Sequence, residues 1–251
     1  MKRGDAAVIS ISAALAVVVV AGVAYSQLVL DRKPGQPAGA AANSDSSLLV
    51  LTWAPSLCKV EPSNSGCRSG HVGQMGRSFV LHGLWPQPST EQYCGVPSRI
   101  ADRARGPVDL PGDVRAGLQA AMSDSTLMAP HEWYAHGTCS GVTAPEYFGI
   151  ATKLADQAGR VLNPVFGKAA GGQLSSRSLR EVFDAEFGEG AGRRVGLTCR
   201  DAKSGGEIVY EVRLSLPPVV DLRSGADRLS VADALAKGPT VPPGCGQAKV
   251  P

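Results

Sequence analysis

Two short apolar runs, each bounded by turn residues, extend from Leu48 to Trp53 and from Ser78 to Leu84. Runs of this length and composition predict buried β-strands. Side chains alternate between the two faces of a strand. Alternation along the second run assigns Val80, His82 and Leu84 to one face and Phe79 and Leu81 to the other. The pattern therefore places His82 on a rigid strand rather than on a loop.

Helical periodicity follows in the middle of the chain. It predicts helices at about 97–105, 113–122, 130–137, 145–160 and 178–187. The third is predicted to begin at Pro130, because proline is favoured in a first turn, where its missing N–H is not needed. The last two carry capping boxes, Thr143 with Glu146 and Ser178 with Glu181, so those residues are expected to mark the helix starts.

Apolar alternation returns near the C-terminus. The segments Arg194–Arg200 and Glu207–Leu216 flank the turn-forming sequence AKSGG, which predicts a β-hairpin. Its second strand directs Ile208, Tyr210, Val212 and Leu214 to the core. Strands interrupted by helices, with a terminal hairpin, indicate an α+β fold with a central, largely antiparallel sheet flanked by helices.

The N-terminal residues differ in composition from the rest of the chain. A basic start, MKR, precedes a nearly uncharged run from Ala6 to Leu30, which is typical of an export signal. Small residues near Ala24 offer a cleavage site, but a run of about 25 residues is also long enough to span a bilayer. We therefore expect residues 1–30 to be a signal peptide or an N-terminal membrane anchor, residues 31–46 a flexible linker, and residues 47–251 one folded domain.

Charge and cysteine content limit the function classes. Lys and Arg total 25 against 22 Asp and Glu, a formal net charge of +3, which is too small for a surface that coats nucleic acid. Any polyanion must then be bound by a local cluster. The six cysteines contain no CxxC pair and follow an export segment, so structural disulfides are expected, in a periplasmic, secreted or membrane-anchored protein. Six cysteines allow fifteen pairings, and sequence alone does not choose among them.

Three of the four histidines lie in two compact motifs, FVLHGLWP at 79–86 and HEWYAHGTC at 131–139. On a helix that begins at Pro130, four residues of the second motif share one face. They are His131, Glu132, Ala135 and His136. At a helix N-terminus such a face suits an anion, because free backbone N–H groups and the helix dipole favour phosphate. The carboxylate is then expected to orient a neighbouring histidine and to favour its charged form.

Two other interpretations of these residues are a zinc site and purely structural roles. A zinc site of the HExxH type needs histidines four apart, whereas His131 and His136 are five apart, about 140° around a helix, so no metal is expected. Taken singly, a histidine on an apolar strand is more often structural, and Trp85 and Trp133 are core residues by default. His71, which lies outside both motifs in a polar segment, is interpreted as structural.

The two motifs together resemble the active-site segments of the ribonuclease T2 family, exported endoribonucleases that need no metal. The likeness is specific in FVLHGLWP and HEWYAHGTC and looser, though consistent, from about Leu49 to Cys245. It implies an α+β fold with a central antiparallel sheet. It also implies a reaction on single-stranded RNA in which the ribose 2′-OH attacks phosphorus and leaves a 2′,3′-cyclic phosphate.

The resemblance implies a role for each matching residue. His136 matches the general base, His82 the general acid, and His131 and Glu132 the positions that bind phosphate and support the transition state. Base and acid from different elements suit an in-line displacement, in which protons move on opposite sides of phosphorus. Trp85 and Tyr93 are expected to stack on nucleobases with low base specificity, although core packing is an equal alternative for Trp85.

The resemblance also implies the disulfides Cys94–Cys139 and Cys199–Cys245, while Cys58–Cys67 rests mainly on proximity. The chain departs from the family in one place, because Ala135 stands where a lysine usually precedes the final histidine. Loss of such a charged contact costs about 1.5 to 3 kcal/mol. We expect a slower enzyme, a basic substitute from a loop (Lys59, Arg77 or Arg99), or a catalytically weakened module that only binds RNA or a surface. No cofactor is implied, and a monomer is expected.

Overall fold

The computed structural model describes residues 44–96, 107–202, 206–223 and 228–251. The predicted export segment, the helix at 97–105 and most of the linker lie outside these residues. Within them, no helix combines the length and the apolar character that crossing a bilayer requires.

The described strands form one mixed sheet that is antiparallel except where β5 pairs with β6. The strands are β1 (Ser46–Trp53), β2 (Phe79–Gln87), β3 (Gln173–Ser175), β4 (Val195–Ala202), β5 (Gly206–Leu216) and β6 (Gln247–Lys249). Their order is β2-β1-β5-β6-β3, and β4 also pairs with β5. The predicted largely antiparallel α+β fold and the predicted hairpin of β4 and β5 are confirmed. The three-residue strands β3 and β6 are too short to produce a pattern in the sequence.

The helices flank this sheet. They are α1 (Ala54–Val60), α2 (Ser65–Arg68), α3 (His71–Gln74), α4 (Gly112–Ala121), α5 (Ser125–Ala135), α6 (Ala144–Ala169), α7 (Ser176–Phe187), α8 (Val219–Arg223) and α9 (Val231–Lys237). The longest, α6, begins with the predicted capping box, in which Glu146 accepts a 2.8 Å hydrogen bond from the N–H of Thr143. It continues past the predicted end through Pro164, because Leu162 and Phe166 are fully buried in the core on either side of the proline.

A β-bulge interrupts β2 at His82. Val50 of β1 pairs with Gly83 and Leu51 pairs with Leu81, so His82 is an extra residue between two paired positions. A bulge bends the strand and changes the direction of its side chains, and bulges are frequent beside active sites. His82 therefore stands on a strand, as predicted, but outside the regular alternation.

The alternation of side chains predicted for β2 and β5 is wrong at one bulge in each strand. Leu81 and Leu84 both lie in the large core, whereas Val80 packs in a smaller cluster with Tyr210. A second bulge, where β4 pairs with β5, removes Tyr210 from the predicted face, and Val209 is buried in the large core instead. One inserted residue reverses the phase of every position beyond it, because side chains in a strand have a period of two.

The helix that carries the second motif begins earlier than predicted. The carboxylate of Asp124 accepts a 3.1 Å hydrogen bond from the N–H of Thr126, so α5 begins at Ser125 and Pro130 lies inside it. The N-cap stabilises the earlier start, and the helix tolerates the one backbone hydrogen bond that its interior proline removes. The motif residues consequently lie at the C-terminal end of α5, and His136 is its C-cap, followed by a short 3₁₀ turn at Gly137–Cys139.

The start predicted for α7 at Ser178 is also wrong. Ser175 is the N-cap, because its Oγ accepts a 3.0 Å hydrogen bond from the N–H of Ser178. A serine at either position fits a capping pattern, and the docking of β3 against β6 directly before the helix selects the earlier one.

The six cysteines form three disulfides, which are the pairs expected from the resemblance and from proximity. They are Cys58–Cys67, Cys94–Cys139 and Cys199–Cys245. The second joins the segment after β2 to the turn after α5. Beside it, the N–H of Tyr93 donates to the carbonyl of Ala135 at 2.9 Å. The two histidine motifs are thus tied to each other by a covalent bond and a backbone hydrogen bond.

The observed start of α7 can be tested by removing each serine in turn. Ser175→Ala should lower the free energy of unfolding by about 0.5 to 2 kcal/mol, because the N–H of Ser178 loses its partner. Urea denaturation of the oxidised protein would measure the change. Ser178→Ala is the matched control and should cost less; a larger loss from Ser178→Ala would contradict the helix start described above.

Candidate active site

Trp85 is the meeting point of the two histidine motifs. Its ring centroid lies 5.1 Å from that of His82, edge to face, and 5.3 Å from that of His136, with the two planes at 30°. The ring of His131 is 6.3 Å from that of His136. The structure thus brings together all three motif histidines. Trp85 is only half-buried, whereas Trp133 is 3 % exposed and lies in the core as predicted.

Two glycines make room for side chains of α5. A Cβ atom on Gly83 would lie 1.9 Å from Oε2 of Glu132, and a Cβ on Gly137 would lie 2.2 Å from Cε3 of Trp133. Real Cβ atoms do not come that close to other heavy atoms. Gly83, after His82, therefore lets β2 approach the end of α5, and Gly137, after His136, lets the turn after α5 pack on Trp133.

Glu132 is completely buried over Gly83, and its two oxygens differ in their contacts. Oε2 accepts a 2.9 Å hydrogen bond from the indole N–H of Trp85. Oε1 has no hydrogen-bond partner among the described residues and lies 3.9 Å from Nε2 of His82. Burial raises the pKa of Glu132 to about 7, although the charge of His82 and the bond from Trp85 act to lower it. Near neutral pH, part of the population is a neutral acid that can donate a hydrogen bond.

The sequence predicts that Glu132 orients a histidine, and the structure modifies this role. Its hydrogen bond goes to Trp85, and 3.9 Å is too long for a hydrogen bond to His82. Its charge does favour the protonated form of that histidine, as expected. The carboxylate that binds the His82 imidazole directly comes from strand β5.

Glu211 of β5 accepts a 2.9 Å hydrogen bond at Oε1 from Nδ1 of His82. Strand β1 lies between β2 and β5, so the two side chains meet over it. Burial lowers the pKa of His82, but the bond to Glu211 and the charges of Glu132, Glu211 and Glu61 raise it by more, and the net pKa is above its ordinary value. His82 is accordingly a cation in weakly acidic solution.

Glu211 is absent from the residues that the sequence singles out. It alternates with apolar residues whose side chains were assigned to the core, so it was expected on the opposite face of the strand. It is in fact only 1 % exposed. A carboxylate in the middle of a central strand is the one signal that could have identified it, since such residues are rarely buried without a partner.

His136 has the opposite protonation behaviour. Burial, followed by the positive charges of His131 and His82, lowers the pKa of His136 to about 3. Above about pH 3 its imidazole is therefore neutral while that of His82 is still charged. A pair of titratable groups whose environments separate their pKa values is typical of an acid and a base that work together.

Two predictions about phosphate binding are wrong in this structure. The motif lies at the C-terminal end of α5, where the helix dipole is negative, and the N–H of His136 is already bonded to the carbonyl of Glu132 at 3.0 Å. Helix N–H groups consequently do not form an anion site here. Ala135, expected on the face that meets phosphate, is 2 % exposed.

The remaining candidates lie in different parts of the molecule. Tyr93 is half-buried, and its backbone contacts the site through Ala135. Lys59 is on α1, Arg77 precedes β2, and Arg99 is outside the described residues. His71 has its Nε2 3.2 Å from the carbonyl oxygen of Met122, in keeping with its structural interpretation. A cation that the sequence did not suggest, Arg213 of β5, lies 5.7 Å from the Trp85 ring.

The structure also weakens the spacing argument against a metal. The side chains of His131, Glu132 and His136 each offer a ligand atom, and these atoms lie within 4.8 Å of one another. The angle of about 140° assumed a helix that continues through residue 136, whereas α5 ends at Ala135. The donor set of two imidazoles and a carboxylate suits zinc.

Known proteins are similar to the part of the chain that carries these site residues. A family model described as the ribonuclease T2 family matches residues 44–227. A ribonuclease of Aeromonas hydrophila is 31% identical over 119 residues, which cover 47% of this chain and 48% of that protein. Ribonuclease MC of Momordica charantia is 31% identical over 168 residues, which cover 62% of this chain and 80% of the relative. The alignment thus spans about half the length of the first relative and most of the second.

Solved structures agree in fold. A mutant of ribonuclease MC1 in complex with 5′-GMP superposes with a TM-score of 0.52 and 24% identity, covering 70% of this chain and 90% of that one. Ribonuclease NT in complex with 5′-AMP superposes with a TM-score of 0.54 and 17% identity, covering 83% of this chain and 98% of that one. At these identities the likeness concerns the fold alone. Because the family model covers more than half of the chain and includes both histidine motifs, this protein belongs to the ribonuclease T2 family.

Proposed function

We propose that this protein is an endoribonuclease that cleaves single-stranded RNA by transesterification, leaves 2′,3′-cyclic phosphate ends and has low base specificity. One observation carries the proposal: a cationic imidazole and a neutral imidazole lie against the same indole, at the centre of a polar site. General acid–base catalysis of an RNA phosphodiester needs one group of each kind.

In the proposed reaction the neutral His136 accepts the proton of the ribose 2′-OH. The 2′-oxygen then forms a bond to phosphorus, and the bond from phosphorus to the 5′-oxygen breaks. His82, which is protonated and held at Nδ1 by Glu211, donates its proton from Nε2 to the departing 5′-oxygen. The proton taken from one side of phosphorus is thus balanced by the proton delivered on the other.

Glu132 and His131 are assigned to the phosphate. The buried Oε1 of Glu132 lacks a hydrogen-bond partner among the described residues, and a carboxyl group with a pKa near 7 can be neutral there. A neutral carboxyl donates a hydrogen bond to a phosphoryl oxygen instead of repelling it. Donors that are fixed before the substrate binds stabilise developing charge without reorganisation. His131, next to His136, supplies a further imidazole.

The nucleobases are assigned to the half-buried Trp85 and Tyr93, whose rings suit stacking without sequence readout. Two structures of similar fold contain the mononucleotides 5′-GMP and 5′-AMP, which supports a nucleotide substrate. Export is part of the proposal, and three disulfides favour an oxidising compartment such as the periplasm or the exterior. We propose a monomer.

The alternative of a binding module without catalysis rests on the absence of a lysine at Ala135. The buried position of Ala135 makes Ala135→Lys a poor test of that alternative, since the added side chain would have no room in the present packing. Detection of the cyclic product distinguishes the two functions directly.

Removal of either catalytic imidazole should abolish most of the activity. We expect His82→Ala and His136→Ala each to lower kcat by about 10² to 10⁴, the usual contribution of a general acid or base. Formation of the 2′,3′-cyclic phosphate on a short single-stranded RNA is the measurement. His71→Ala is the matched control and should retain activity near the wild-type level; full activity of the His136→Ala protein would refute the proposed base.

The pH profile of kcat/KM should have a plateau in acidic solution, between the pKa of His136 and that of His82. The base must be neutral, so kcat/KM should rise as pH increases through about 3, where His136 loses its proton. The acid must be protonated, so kcat/KM should fall as pH increases through the raised pKa of His82, above about 6.5. Ionisation of Glu132 near pH 7 removes a donor and adds to the fall. A rising limb centred near pH 6.5 would exclude His136 in the protonation state assigned to it.

Metal dependence is decided by chelation. We expect cyclic-phosphate formation to persist in excess EDTA, because acid, base and phosphate donors are all protein groups in the proposed reaction. Loss of activity in EDTA that zinc restores would instead assign a catalytic metal to His131, Glu132 and His136. Zinc content of the purified oxidised protein, measured by elemental analysis, is the accompanying control.

A further inference from the structure

A chain of charged contacts continues from His82 across strand β5. Oε1 of Glu211 binds Nδ1 of His82 at 2.9 Å, and Oε2 accepts a 3.1 Å hydrogen bond from Nη2 of Arg213. The hydroxyl of Thr198 lies 3.4 Å from the same Oε2. Glu211 and Arg213 are two residues apart on β5, so their side chains leave the same face of the sheet. Both carboxylate oxygens of Glu211 thus have a cationic partner.

Pairing on both sides keeps Glu211 ionised in a buried position. Burial raises the pKa of Glu211, but the hydrogen bond and charge of His82, together with Arg213, lower it by more, so the net pKa is below its ordinary value. A buried carboxylate without these partners would neutralise instead. The group that faces Nδ1 of His82 therefore stays an anion to lower pH than an ordinary glutamate.

This contact decides which nitrogen of His82 faces the substrate. When Nδ1 donates its hydrogen to Glu211, the ring orientation is fixed and Nε2 points to the opposite side, toward Oε1 of Glu132 at 3.9 Å. Nε2 is the atom from which the proposed reaction delivers a proton. An imidazole free to rotate would present the proton in the required direction for only part of the time.

Arg213 makes two contacts in the site, and one of its buried hydrogen-bond donors has no partner among the described residues. Its guanidinium carbon lies 5.7 Å from the ring centroid of Trp85, and Nη2 binds Glu211. Its Nε is buried and has no hydrogen-bond partner among the described residues. An unsatisfied buried donor in a native structure calls for an explanation. The position of Arg213 is explained by its hydrogen bond to Glu211 and its contact with Trp85, which hold the guanidinium although Nε is left without a partner.

We propose that Glu211 is the positioning residue of the general acid His82, and that Arg213 acts through Glu211 by holding its carboxylate in place. The assignment of His82 as an acid rests on the function proposed above, whereas the positioning of its ring does not.

The groups that face His82 come from several elements. Glu132 and His136 approach from the end of α5, Glu211 and Arg213 lie on β5, and Glu61, which follows α1, contributes charge. A substitution at Glu211 therefore leaves the charge of Glu132 in place. Its effect on the titration of His82 should be a partial fall toward the ordinary value and not a collapse.

Glu211→Gln in the oxidised protein tests the proposal with little change of volume. We expect NMR titration to give His82 a lower pKa than in the wild type, and its Nδ1 resonance to lose the signature of a hydrogen bond to a carboxylate. With short RNA, kcat should fall by about 10- to 100-fold, as for groups that orient a functional histidine without touching the substrate. KM should stay within about twofold, and the alkaline limb of the pH profile should move to lower pH.

Glu207→Gln is the matched control, because Glu207 is an exposed glutamate on the same strand. It should change neither the titration of His82 nor kcat. An unaltered His82 titration in folded Glu211→Gln protein would overturn the proposal. If His82 responds as expected but the wild type does not cleave RNA, the positioning of His82 stands and the proposed function fails.

Arg213 is tested by a double-mutant cycle. If it acts through Glu211, the Glu211→Gln/Arg213→Ala protein should be no slower than Glu211→Gln alone, since both changes remove the same effect on His82. Additive losses, with a raised KM in Arg213→Ala, would overturn this role and indicate that the guanidinium binds the phosphate directly. Urea denaturation of each variant separates loss of folding from loss of function.

Discussion

His82 lies between two buried carboxyl groups, and the rest of the site is arranged around that interaction. Glu211 binds one ring nitrogen, and Glu132 lies on the side of the other. Buried carboxylates are costly unless they are paired. Glu211 is paired twice, by His82 and Arg213, whereas Glu132 has only the indole of Trp85 as a hydrogen-bond partner among the described residues, and its pKa is correspondingly raised. The same environment thus holds one carboxylate charged and leaves the other able to be neutral.

Close approach of β2 and α5 is required for this arrangement. Gly83 removes a Cβ atom that would block it, and the bulge at His82 turns the imidazole out of the regular strand. The disulfide Cys94–Cys139 and the backbone bond from Tyr93 to Ala135 join the segments that follow the two elements. Rigid elements, tied near the site, hold the imidazoles of His82 and His136 at a fixed separation, which is what the proposed catalysis requires.

The sequence motifs are sufficient to identify the histidines but not their surroundings. His82, His131 and His136 come together as expected, because each motif is compact and carries its own glycine. The helix start at Pro130 is wrong because Asp124 caps a helix that begins five residues earlier, at Ser125, and the anion site expected at the helix N-terminus disappears with it. Ala135 is buried for the same reason: the true register of α5 directs it inward. Asp124 and Pro130 are both acceptable helix starts by local sequence, and the packing of the folded chain determines which one is used.

The order of the main strands, the four longest described helices and the membership of the cysteines in disulfides follow from apolar periodicity and composition. The three site histidines follow from two motifs. All of these are local properties of the chain. The bulges at His82 and Tyr210, the burial of Glu211 and its contact with Arg213 depend on how β2, β1 and β5 are aligned. Glu211 and His82 are 129 residues apart. No local pattern encodes a hydrogen bond between side chains on strands that are not neighbours in the sheet, because the contact exists only once the intervening strand has brought them to the same face.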